Sequence, residues 1–180
     1  MVKRIKIKLD VIEGMLYYWQ ATSEREKVGE AYLNSQAQQP EMSYIYDNEF
    51  NSESVRRALS AISNREIFHS DNKKERVFWN NNMWMMEDLD YTKLMVAPLK
   101  TLNLDSLVEK INSHNKNISH EELELIFLPS HTDEYKIIDN KLIINFFRVK
   151  PDLYEENKAS IGDKPITAYI EEKIQELLEG

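Results

Sequence analysis

Residues 135–149 constrain the fold of this chain more than any other stretch. Tyr135–Ile138 and Lys141–Val149 are apolar-rich runs separated by Asp139-Asn140. Two Asx residues between such runs are turn chemistry, because Asp and Asn enter the left-handed region more readily than other non-glycine residues. The segment therefore reads as a hairpin. In its second run Leu142, Ile144 and Phe146 fall on one face, and Ile143, Phe147 and Val149 on the other. A strand apolar on both faces has to be central in its sheet and covered on both sides. Arg148 lies near its end, snorkelling out or pairing with an acid, and Pro151 stops the run.

The rest of the chain supplies cover. Ile5, Ile7 and Leu9 alternate with Arg4, Lys6 and Lys8, which predicts a strand with one wet face. From Asp10 the period changes, and Ile12, Met15, Leu16 and Trp19 sit at helical spacing. Ser23 with Glu26 resembles a capping box and predicts a helix through Val28, Ala31 and Tyr32. Asn51-Ser52 offers an N-cap to a helix striped by Val55, Leu59 and Ile62. Lys93 to Leu99 reads as a strand ending at Pro98, and Asn103 or Asp105 caps a helix carrying Leu107 and Ile111. Leu123, Leu125 and Phe127 alternate as a strand. Residues 152–164 read as loop, and Pro165 opens a last helix striped by Ile166, Ile170, Ile174 and Leu177.

The expected class is α+β: a mixed or largely antiparallel sheet of about five or six strands with helices packed on it. One globular domain, 1–180, is expected, helix-rich over 1–72 and sheet-rich over 73–150, with a C-terminal helix over 165–179.

Trp79-Asn80-Asn81-Asn82-Met83-Trp84-Met85-Met86 holds two of the three tryptophans and three of the seven methionines. Asparagine tolerates turn geometry, so Arg76–Trp79 and Met83–Met86 read as two strands joined across the three asparagines. A short helix from Asn81 or Asn82 is the competing reading. The large apolar side chains are either a core hairpin, the commoner use, or a binding platform. As a platform the segment would use Trp79, Asn82 and Trp84, with Glu87 and Asp88 behind them.

Several function classes are disfavoured at once. There is no cysteine, so disulfides, thiolate metal sites and cysteine nucleophiles drop out. The basic start of the chain lacks the apolar stretch of a secretory signal, and no apolar run approaches the ~18 residues of a membrane span. A cytoplasmic, membrane-free protein is expected. The formal charge is −8. Residues 1–10 carry four bases against one acid, and residues 151–180 three bases against eight acids. Such a surplus opposes nucleic acid and suits a basic protein partner. Its simpler use is solubility. Oligomeric state has no signature in the chain.

Chemistry is harder to find. Among His69, His114, His120 and His131, the pair His114 and His120 stands six apart across a polar loop, which suits solvent better than a metal. No cofactor is expected. Glu87 and Asp88 beside Trp84, with Asp47, Glu49 or Glu53 as second carboxylate, could form an acid–base pair, although acids between elements are mostly caps. Lys73, Lys74 and Arg76 precede Phe78 and Trp79, a pattern that single-stranded nucleic-acid binding uses. Phosphate-binding glycine loops, metalloprotease helix motifs and nucleophile elbows do not occur. The leading expectation is a non-catalytic interaction protein of adaptor, inhibitor or immunity type. A small carboxylate-dependent hydrolase and a weak single-stranded nucleic-acid binder are the alternatives.

Overall fold

In the computed structural model, which describes residues 1–180, the hairpin sits inside a four-stranded mixed sheet. Its strands are β1 (Arg4–Lys8), β2 (Glu122–Leu128), β3 (Tyr135–Ile138) and β4 (Lys141–Asn145). The spatial order is β1-β2-β4-β3, with β1, β2 and β4 parallel and β3 antiparallel to β4. Asp139 turns the hairpin at φ 52°. Leu142, Ile143 and Ile144 are all buried, as a doubly covered central strand requires.

The register sorts the two faces. Ile5 faces Leu123, Ile7 faces Leu125, and Leu125 and Phe127 face Leu142 and Ile144. The helices α1 (Asp10–Ser23), α6 (Asp105–His114) and α7 (Ile166–Glu179) pack against β2, β1 and β4 respectively. On the other face Lys6, Glu124 and Lys141 align as alternating charges, with Lys8 Nζ 2.8 Å from Glu124. Opposite charges across neighbouring strands favour this register. Further along that face, Ile126 and Ile143 are buried, and the 3₁₀ turn Pro40–Ile45 packs against β2.

A second, three-stranded antiparallel sheet follows: β5 (Val149–Pro151), β6 (Ala159–Ile161) and β7 (Lys164–Pro165). It lies largely in the stretch expected as loop, whose strands are too short to show an alternation. The remaining helices are α2 (Glu30–Ala37), α3 (Ser52–Ser63), α4 (Lys73–Glu87) and α5 (Leu89–Lys100). The fold is α+β with a helix-rich N-terminal half, and 43 buried side chains form one apolar cluster. No helix is long and apolar enough to cross a membrane.

Caps explain several boundaries. Asn51 accepts from Ser54 N, and Ser54 Oγ accepts from Asn51 N, a reciprocal box that starts α3. Ser23 and Glu26 do not open a helix; they close one. α1 and α3 end in the same local sequence, Ala-x-Ser-x-Arg-Glu, at residues 21–26 and 61–66. Arg25 and Arg65 both take positive φ, at 62° and 58°. Arg25 N donates to Thr22 O and Glu26 N to Ala21 O; Arg65 N donates to Ile62 O and Glu66 N to Ala61 O. Both ends are Schellman motifs, with arginine where glycine is usual. Arg25→Gly is therefore expected to stabilise the protein by about 0.5–1 kcal/mol, read as a thermal midpoint 1–4 °C higher.

Gly14 has a different use. A Cβ there would stand 2.5 Å from Gln36 Oε1. The absent side chain lets Gln36 reach Val11 O at 2.8 Å and ties α2 onto α1.

Two further sequence readings are corrected. Arg76–Trp79 and Met83–Met86 are not paired strands; both lie in α4, a continuous helix capped by Asn72, which accepts from Lys74 N and Glu75 N. Lys93–Leu99 is not a strand either but the body of α5. Pro98 lies inside α5, where it removes the amide that would donate to the Leu94 carbonyl; only Leu99 and Lys100 of the helix follow it.

Candidate functional site

α4 and α5 are one helical run broken at a single residue. Asp88 adopts φ −129°, ψ 73°, and serves both helices. Its amide donates to Trp84 O at 3.1 Å, and its Oδ1 accepts from Tyr91 N at 3.1 Å. The break leaves carbonyls at the end of α4 without helical partners. Buried Thr92 answers this: its hydroxyl lies 2.9 Å from Met85 O and 3.0 Å from Asp88 O.

The elbow opens a groove of about 370 Å³ lined by Asn81, Trp84, Met85, Asp88, Tyr91 and Phe147. Trp84 stands on its rim and is 61% exposed, whereas Trp19 is wholly buried. Phe147 arrives from the 3₁₀ turn Phe146–Arg148 at the end of β4, where Asn145 Oδ1 accepts from its amide at 3.0 Å. Trp19 stacks on Phe146 at 5.6 Å and meets Phe147 at 6.3 Å. The groove wall is thus anchored in the core. Glu87, Asp88 and Asp90 are exposed around the elbow, and none of the three is in an ion pair.

The structure divides the residues singled out in the sequence. Trp84 and Asp88 line the groove, and Glu87 lies next to Asp88 on the surface. Asn82 is not a surface residue. It is wholly buried, accepts from Trp19 Nε1 at 2.9 Å and donates to Phe78 O at 2.8 Å. Trp79 is half-buried and stacks on Phe68, with centroids 6.2 Å apart and planes 10° apart. Arg57 lies over the same Phe68 ring. Asn81 and Met85, from the same tryptophan segment, also line it, and Tyr91 and Phe147 join the site unforeseen. Trp84, Asp88 and Tyr91 follow one another at helical spacing, a signal that only becomes readable once the segment is a helix. Phe147 has no local signal.

The acid–base arrangement does not assemble. A carboxyl whose pKa is raised for catalysis needs burial, and Glu87 and Asp88 are both exposed. Asp47 pairs with Lys74 at 2.8 Å and Glu53 with Arg56. Two of the three basic residues before Trp79 are also engaged, Lys74 with Asp47 and Glu49, and Arg76 Nη1 with Ser70 O; Lys73 is exposed. No three His, Asp or Glu side chains converge as metal ligands. His131 is buried against the Phe50 ring, its Nε2 3.0 Å from Ile45 O. It borders a 30 Å³ cavity with Asp47, Ser130, Asp133 and Asn145, which has room for little more than a water molecule.

No known family model matches this chain, and no curated protein or solved structure matches it either.

Proposed function

We propose that the protein is a non-catalytic interaction module that binds a basic protein partner through the α4–α5 groove. The observation that carries this reading is Trp84, held 61% exposed on the rim of an apolar groove beside unpaired carboxylates. Tryptophan on a rigid element with an apolar body and nearby charge is the composition of interface hot spots. Tyr91 and Phe147 extend the apolar surface, and Met85 adapts its shape to an incoming side chain. Glu87, Asp88 and Asp90 supply attraction for lysine or arginine on the partner and raise the rate of encounter.

Two substitutions test this at little cost to the fold. Trp84→Ala removes an exposed side chain and leaves the hydrogen bonds of the elbow in place. It should change stability by less than about 0.5 kcal/mol and weaken the partner by roughly 30-fold, the loss of about 2 kcal/mol expected at a hot spot. Asp88→Asn keeps the cap, since Asn and Asp cap equally well, and removes one charge. It should slow association and flatten the salt dependence while the thermal midpoint holds. The measurement is surface plasmon resonance against the basic protein recovered with the wild-type chain at low salt. Capture of that protein by Trp84→Ala with unchanged affinity would refute the groove as its site.

A further inference from the structure

A second cavity lies away from the elbow, where the C-terminal ends of α1 and α3 meet. It measures about 340 Å³ and is lined by Arg25, Lys27, Ser63, Asn64 and Arg65. In a chain with 31 acidic residues, this lining holds no carboxylate and no apolar side chain. We propose that it is a binding site for the phosphate group of a small phosphorylated ligand.

Three independent observations support the assignment. None of the three cations is in an ion pair, so their charges are not consumed within the fold. The cavity is built on fixed backbone. Arg25 and Arg65 occupy equivalent left-handed positions of two matching Schellman ends. Val28 N donates to Ser63 Oγ at 2.8 Å, and Arg65 Nη2 to Thr22 O at 2.6 Å, so the two ends are locked together. Finally, Ser63 is 5% exposed and accepts from Val28 N, but its own hydroxyl proton meets no acceptor within the protein. A buried hydroxyl of this kind at a cavity wall is free to donate to water or to an acceptor of a bound ligand. Phosphate offers several strong acceptor oxygens, and arginine pairs with it through two parallel N–H bonds.

The C-terminal ends of helices carry partial negative charge, which repels anions. Here that charge is already countered. Thr22 O accepts from both Arg25 N and Arg65 Nη2, and Ala21 O, Ala61 O and Ile62 O accept from the Schellman amides. Arg25, Lys27 and Arg65 add three formal positive charges at the same place.

The test uses the full chain and its Arg25→Gly/Lys27→Met variant. Glycine suits the left-handed position, and Lys27 is exposed, so this variant keeps its fold; Arg65 is left in place because it ties α3 to α1. Thermal unfolding and calorimetric titration are followed with inorganic phosphate, with glycerol phosphate, and with chloride at matched ionic strength. Phosphate should raise the wild-type midpoint by a few degrees beyond chloride, and the variant should bind at least about tenfold more weakly. Tighter binding of glycerol phosphate assigns the rest of the cavity to the organic part of the ligand; equal binding assigns the site to the phosphate alone. A midpoint that rises equally with chloride, or a phosphate response undiminished in the variant, overturns the proposal.

Discussion

Replacing Asn82 by Asp should cost about 4 kcal/mol of stability at neutral pH, and most of the loss should return below about pH 4. The position is wholly buried, and its side chain bridges two elements by accepting from Trp19 Nε1 and donating to Phe78 O. An ionised carboxylate offers only acceptors, so one oxygen would face the Phe78 carbonyl with no proton between them. Burial in such a place raises a carboxyl pKa by about three units or more, and each unit is worth 1.36 kcal/mol. The sign follows from linkage: the folded pKa lies above the unfolded value near 3.9. The variant is thus most stable below that value and weakens as pH rises toward its folded pKa. Asn82→Ala serves as the reference. It leaves the Trp19 indole N–H unpaired at a cost of about 1–3 kcal/mol without adding a titrating group, so its loss should not change across the same range. Urea unfolding of both variants at pH 4 and pH 7 separates the two cases. A pH-independent loss in Asn82→Asp would mean that the position is hydrated.

The same side chain shows why half of the candidate site was hidden in the sequence. Buried positions form a stripe at helical spacing on either side of the Asp88 break, with Glu75, Phe78, Asn82 and Met85 along α4 and Thr92, Met95 and Leu99 along α5. Three of its members are polar, and each is buried because it meets a specific partner: Arg57 for Glu75, Trp19 for Asn82 and the Met85 carbonyl for Thr92. Periodicity counts hydrophobic residues, so a stripe interrupted by Glu, Asn and Thr falls below notice, while three asparagines in a row imitate a turn. The β2 strand and the β3–β4 hairpin were legible for the opposite reason. Apart from Asn145 at the end of β4, their buried positions are all apolar, and alternation or a two-faced apolar run records it directly. The C-terminal helix was legible likewise, through Ile166, Ile170, Ile174 and Leu177. Trp84 and Asp88 were found by residue type. Tyr91 needed the helical register, and Phe147 needed the tertiary fold, which brings the end of β4 to the α4–α5 elbow.

The buried member of that stripe with the most charge at stake is Glu75. Its side chain is 8% exposed, in the first turn of α4. Arg57 Nη2 donates to its Oε2 at 2.5 Å and Ser70 Oγ to its Oε1 at 2.6 Å. Burial alone would push this carboxyl up, but hydrogen bonds from Ser54, Ser70 and Arg57 outweigh it and hold the pKa below the ordinary glutamate value. A depressed folded pKa means that the carboxylate stabilises the protein at pH values above the unfolded pKa near 4.3. That contribution is lost as pH falls through the folded value. Glu75→Gln should therefore lower stability at pH 7 by about 1–2 kcal/mol, the difference between a charged and a neutral acceptor, while costing nothing near pH 2. Its acid-unfolding limb should be shallower than that of the wild type, though not absent. Glu124, held down chiefly by its hydrogen bond from Lys8, and Glu53, held down chiefly by Arg56, titrate in the same direction. Glu75→Ala should cost more, about 2–3 kcal/mol, because it also leaves the Ser70 hydroxyl and part of the Arg57 guanidinium without partners; solvent reaches Arg57, at 40% exposure, and limits the penalty. Stability measured by denaturant titration from pH 2 to pH 7 distinguishes these contributions. An acid limb in Glu75→Gln as steep as that of the wild type would show that the Glu75 pKa does not change on folding and that Arg57 and Ser70 do not hold it down.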